Sequence, residues 1–157
     1  MNIAILSTYF PRECGIASFS GDLRENLMLW GEDVSIFAIS DKKGLYNYPQ
    51  EVVFELEENN RDHYAIAAQF ANNSDIDLVF VEHEYGIFGG DDGEYVLDFV
   101  ENLEKPFILN THTVLPEPDF HKRRILSKLG QKSTAVICMT RRSAELLNKV
   151  YNIPMQK

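Results

Sequence analysis

Basic residues are the minority charge in this chain of 157 residues, with 15 Lys and Arg against 24 Asp and Glu and a formal net charge of -9. That balance excludes nucleic acid as an expected partner, because binding there depends on Lys and Arg meeting phosphates. Anionic ligands must be held locally. Cysteine is nearly absent as well, with Cys14 and Cys138 the only two. Two thiols provide neither a disulfide framework nor a Cys-based zinc site, and they read as reduced groups in a cytoplasmic protein. No apolar run approaches bilayer length, and the amino terminus opens on a strand instead of a signal peptide. A soluble cytoplasmic protein is the expectation. Three nucleotide or nucleophile signatures are also missing. The glycine-rich dinucleotide pattern is reduced to Gly15 after the first strand with Asp41 after the second, and neither a Gly-Lys-Ser/Thr loop nor a Gly-x-Ser-x-Gly elbow occurs.

What is present is a regular alternation. Ile3–Leu6 is too short and too uniformly apolar for a surface helix, so it predicts a strand buried on both faces. Apolar residues at Ile16, Phe19, Leu23 and Leu27 then recur at helical spacing. Further strands are predicted over Val34–Ile39, Val52–Leu56 near an edge, Asp77–Glu82, Pro106–Asn110 and Thr134–Met139. Helices are predicted from Ile16, over Tyr64–Phe70, from about Glu94 to Leu103 and from about Asp119 to Gln131, with a loop over 40–51 between the second and third strands. A last helix is capped by Thr140 and runs to about Tyr151. Strand and helix in turn imply parallel pairing through right-handed crossovers. The expected fold is α/β, a three-layer Rossmann-like domain over residues 1–157 with a parallel sheet of about six or seven strands.

Ligands of such sheets sit beyond the carboxyl ends of the strands. Two loops on that rim stand out. One is Tyr9-Phe10-Pro11-Arg12-Glu13-Cys14-Gly15-Ile16-Ala17, where backbone N–H groups at a helix start could meet phosphate. The other is His83-Glu84-Tyr85-Gly86-Ile87-Phe88-Gly89-Gly90-Asp91-Asp92-Gly93, whose four glycines let a ligand or another segment approach closely. Asp91 and Asp92 also suit a cap for the following helix. His112 follows a buried strand among Asn110, Thr111 and Thr113, either as a ligand on the rim or as a satisfied structural histidine. His83, Glu84, His112 and His121 are metal-ligand types, but no His-x-x-x-His or Glu-x-x-His pair occurs, and no metal site is expected. The clusters His121-Lys122-Arg123-Arg124 and Arg141-Arg142 read as solvated helix faces, with contact to a membrane or polyanion as the alternative.

Together, Ser7-Thr8-Tyr9-Phe10-Pro11-Arg12-Glu13-Cys14-Gly15-Ile16-Ala17, Glu82-His83-Glu84-Tyr85-Gly86-Ile87-Phe88-Gly89-Gly90 and Thr111-His112-Thr113-Val114-Leu115-Pro116 resemble the amino-terminal half of retaining GT-B glycosyltransferases of family 4, closest to a mannosyltransferase-like bacterial branch. The resemblance covers essentially the whole chain. It implies a hexosyltransferase that moves mannose or glucose from a nucleotide-diphosphate sugar, of GDP-mannose or UDP-glucose type, to a saccharide or other hydroxyl acceptor, with no tightly bound cofactor. By that resemblance Gly15 and Ile16 approach the donor diphosphate, and His112 is the catalytic-site histidine beside the transferred sugar. His83, Glu84, Tyr85, Gly89, Gly90 and Asp91 line the acceptor side. The family's basic pair and Glu-x7-Glu motif belong to a second, carboxy-terminal donor-binding domain, which nothing here matches, so the 157-residue chain is expected to be inactive alone. The face toward that domain, around Tyr9, Phe10, Tyr85, Ile87, Phe88 and Leu115, is expected to be apolar and uncovered, a basis for self-association. The alternative is a self-sufficient Rossmann-like or flavodoxin-like binding module.

Overall fold

Alternation along each strand sends neighbouring side chains to opposite faces of one sheet, and both faces are apolar. A computed structural model describes residues 1–157. Its strands are β1 (Asn2–Ser7), β2 (Asp33–Ser40), β3 (Val52–Glu57), β4 (Leu78–His83), β5 (Phe107–Thr111) and β6 (Ala135–Cys138). All pairings are parallel, in the order β3-β2-β1-β4-β5-β6. The helices are α1 (Gly15–Leu29), α2 (Arg61–Asn72), α3 (Val96–Asn102), α4 (Phe120–Lys132) and α5 (Arg141–Tyr151). The direction of winding reverses between β1 and β4, so the loops after these two strands open a crevice at the carboxyl edge.

The two faces are covered unequally. Ala4, Leu6, Phe37, Ile39, Val79, Val81 and Leu109 join a core of 26 buried residues with side chains of α2, α3, α4 and α5. Ile3, Ile5, Tyr9, Val34, Ile36, Ala38 and Phe80 form a second core of seven under Leu23 and Leu27 of α1. With α1 as its only helix, that second face thins toward β6, where Ile137 is exposed. The three layers are therefore one helix, the sheet, and four helices.

Helix ends follow local chemistry. Asp119 accepts the Lys122 N–H at the start of α4 and Thr140 accepts the Ser143 N–H at the start of α5. Asp91 and Asp92 do not cap as expected. A single 3-10 turn occupies Asp91–Gly93, α3 begins after Tyr95, and neither start has a side-chain cap. Asp92 turns instead to His121 and Lys122 on α4.

Candidate functional site

The carboxyl edge begins with the turn from β1 into α1. Cys14 caps the helix, its Sγ 3.4 Å from the Ala17 N–H and 3.0 Å from the Thr8 hydroxyl. Ser7 and Ser20, 2.6 Å apart and buried, fasten the helix to the strand below. The Gly15 and Ile16 N–H groups find no acceptor in the chain. No acidic residue stands in the first turn, so the positive end of the helix dipole is left unmatched. A Cβ built on Gly15 would meet nothing within 4 Å. Open space and free donors therefore coincide at the residues expected to approach a diphosphate.

His112 shares this edge. Its ring stands edge-on to Phe19 of α1, with centroids 4.8 Å apart at 86°. Phe19 lies one turn beyond Gly15, so the helix start and the imidazole stand at the same carboxyl edge, joined by this contact. Beneath the ring lies Glu82, fully buried at the end of β4. Its Oε2 is 2.7 Å from His112 Nε2 and 2.9 Å from Asn110 Nδ2. Glu84 is tied across the same edge, bonded by the Thr113 hydroxyl and, at 2.9 Å, by the Tyr85 N–H.

The remaining expected site residues lie differently. His83 is 1% exposed and packs against Tyr85 and Phe88 on the opposite face of the sheet. Burial pushes its pKa down to about 4, helped by nearby His112, so it is a neutral core ring. Tyr85 is also buried, and burial pushes its phenol up. Gly89 and Gly90 fit against their own protein. A Cβ on Gly89 would fall 2.0 Å from the Glu58 carbonyl oxygen, and one on Gly90, at φ 79°, would fall 2.6 Å from the Tyr95 ring. Asp91 is exposed and its side chain bonds nothing. Gly89, Gly90 and Gly93 thus serve close packing against Glu58, Tyr95 and the loop's own Tyr85, whereas Gly86 is open.

Arg12 has its charge matched. It donates to the Ile39 carbonyl and to Glu58, each at 3.1 Å, and pairs with Asp41 at 2.8 Å, joining the loops after β1, β2 and β3. The apolar face expected around Tyr9, Phe10, Tyr85, Ile87, Phe88 and Leu115 is corrected by packing: Tyr9, Tyr85, Ile87 and Phe88 are each under 10% exposed, Leu115 is half-buried, and Phe10 alone is exposed, at 51%. Apolar exposure is concentrated elsewhere, at Met28, Leu29 and Trp30 on the far end of α1. A cavity of about 270 Å³ lies at the opposite edge of the sheet, among Asn2, Ser35, Phe70 and Asp75. No group of three His, Cys, Asp or Glu side chains is placed to hold a metal ion, and no helix is long and apolar enough to cross a membrane.

Sequence reasoning missed Glu82. The signal was available: Phe80 and Glu82 share one face by alternation, and Glu82 pairs with Asn110 in the β4–β5 register.

The fold is Rossmann-like and matches that of a GT-B glycosyltransferase amino-terminal domain. Among solved structures the chain is similar to an alpha-glucosyltransferase in complex with UDP and a 13-mer DNA containing a central A:G mismatch, with a TM-score of 0.61 and 14% identity over 88% of this chain and 37% of that one. A second complex, alpha-glucosyltransferase with UDP and a 13-mer DNA containing a HMU base, is matched with a TM-score of 0.60 and 14% identity over the same shares. The chain spans 37% of the length of these structures. No protein-family model matches the sequence, and no curated protein does.

Proposed function

We propose that this chain is the acceptor-side lobe of a retaining, family 4-like glycosyltransferase that moves a hexose from a nucleotide-diphosphate donor to an acceptor hydroxyl. One observation carries the reading: the amides of Gly15 and Ile16 are unpaired, and Phe19, one turn further along α1, touches the imidazole of His112 at the same carboxyl edge of the sheet. Free amides at a helix start suit a diphosphate, and an imidazole one turn away suits a sugar hydroxyl. The UDP in both similar structures supports a nucleotide-sugar donor of UDP-glucose or GDP-mannose type. Their DNA is not carried over, because this chain bears a net charge of -9. Of the expected acceptor-side residues, Glu84 is retained in the proposal. It is half-buried on the crevice edge, whereas His83, Tyr85 and Gly89 are closed off by packing.

Charge developing on the leaving diphosphate has only the Gly15 and Ile16 amides on this side. Turnover therefore needs a second, donor-binding lobe, and the chain alone is inactive under this proposal. The test is a titration of the ¹⁵N-labelled chain with UDP, GDP, UDP-glucose and GDP-mannose. Shifts at the Gly15 and Ile16 amides and at His112 are expected, together with no sugar transfer in an assay of the same sample. No shift up to about 10 mM of any ligand, beyond even weak millimolar affinity, would overturn the reading.

A further inference from the structure

The buried acid under His112 is unexplained by diphosphate or sugar binding alone. A carboxylate removed from water costs several kcal/mol unless its partners repay it. Glu82 has two partners, and both approach Oε2: Asn110 Nδ2 at 2.9 Å and His112 Nε2 at 2.7 Å. Oε1 and the Asn110 Oδ1 have none. Asn110 donates to Oε2, and a carboxylate only accepts, so the 2.7 Å contact from the ring is read as Nε2–H donating to that same oxygen. In the neutral ring the lone pair then falls on Nδ1, which makes no hydrogen bond within the chain. The ring's tilt is set by the Phe19 edge, and its backbone by the bond from the His112 N–H to the His83 carbonyl at 3.0 Å.

We propose that Glu82 is a positioning residue: it holds His112 as the Nε2–H tautomer and presents Nδ1 to the crevice as an acceptor for a substrate hydroxyl. The hydroxyl rests on the glycosyltransferase reading; the tautomer does not. A lone pair at Nδ1 repels phosphate oxygens, so the division of the crevice follows, with phosphate at the α1 amides and hydroxyl at the ring.

Long-range ¹H–¹⁵N correlation spectra of the histidine rings of the 157-residue chain test this at about pH 8, where an unperturbed ring is neutral. The His112 signal, identified by its loss in His112→Ala, is expected to show a protonated Nε2 and an unprotonated Nδ1. Glu82→Gln keeps the shape but offers both an oxygen and an NH₂ to Nε2, so the tautomer population should move toward Nδ1–H. Glu82→Met removes the acceptor and should move it further. A wild-type ring protonated at Nδ1, or a population unchanged by Glu82→Gln, overturns the assignment; should Glu82→Met not fold, Glu82→Gln decides alone. Failure of every nucleotide titration would sink the glycosyltransferase reading and leave this spectrum as it stands.

Discussion

Gly15 and Gly89 both follow strands, yet the space at their α-carbons differs completely. A methyl group on Gly15 meets nothing within 4 Å, while on Gly89 it would fall 2.0 Å from a backbone oxygen of Glu58. Gly15→Ala should therefore leave the urea-unfolding midpoint essentially unchanged, since Ala is also a better helix residue. It should nevertheless weaken the nucleotide-induced shifts by standing where the ligand approaches. Gly89→Ala must displace backbone and should cost about 3 kcal/mol. Equal stability losses in the two variants would contradict this account. The contrast also marks what single residues disclose in a sequence. Gly15 was legible because strand, loop and helix are local signals. Gly89 depends on Glu58, a contact that exists only once β3 and β4 are placed in the sheet, and His83 on how its own loop folds back to set Tyr85 and Phe88 against the ring.

At the scale of elements, the glycine loop is held to α4 by a charge cluster. His121 places Nδ1 3.1 Å from Asp92 and Nε2 3.1 Å from Glu94, while Lys122 bonds Asp92 and Asp119. A neutral ring donates from only one nitrogen, so the imidazolium alone satisfies both carboxylates. The bond to Asp92 chiefly raises the pKa of His121 above its ordinary 6.5, with partial burial opposing and Glu94 adding. A raised folded-state value means that the contribution is full below pH 6.5 and is lost as pH climbs through the folded value. The ring is partly exposed, so the effect is of surface-pair size, about 0.5 to 1 kcal/mol. His121→Ala should lower the urea midpoint at about pH 5.5 and leave it unchanged at about pH 9. A difference that persists at the higher pH would mean that packing, not charge, holds the loop. Elements themselves were the most legible level: all six strands and five helices lie where periodicity expected them. The misread start of α3 has a physical reason. Asp91 and Asp92 carry capping chemistry, but Asp92, at φ 54°, faces α4, and capping chemistry does not reveal a distant partner.

Across the whole molecule, charge sets what can approach the crevice. The excess is 24 acidic over 15 basic residues, and several of the cations are already paired: Arg12 with Asp41 and Glu58, Arg61 with Asp98, Lys122 with Asp92 and Asp119. Release of counterions from a nucleic acid requires several unpaired cations on one surface. The free donors at the α1 start are neutral amides, sufficient for one diphosphate but not for a polyanion that carries a charge every few ångströms. A short duplex should accordingly show no retention on the chain in filter binding at about 150 mM salt, and only marginal binding on dilution to about 50 mM. A nucleoside diphosphate, whose contacts are short-range bonds to two amides, should keep most of its affinity over the same change. Steeply salt-dependent duplex binding would relocate the acceptor class to nucleic acid. It would also require a cationic surface made by the exposed Arg141 and Arg142 at the start of α5, which Arg141→Ala and Arg142→Ala would then abolish.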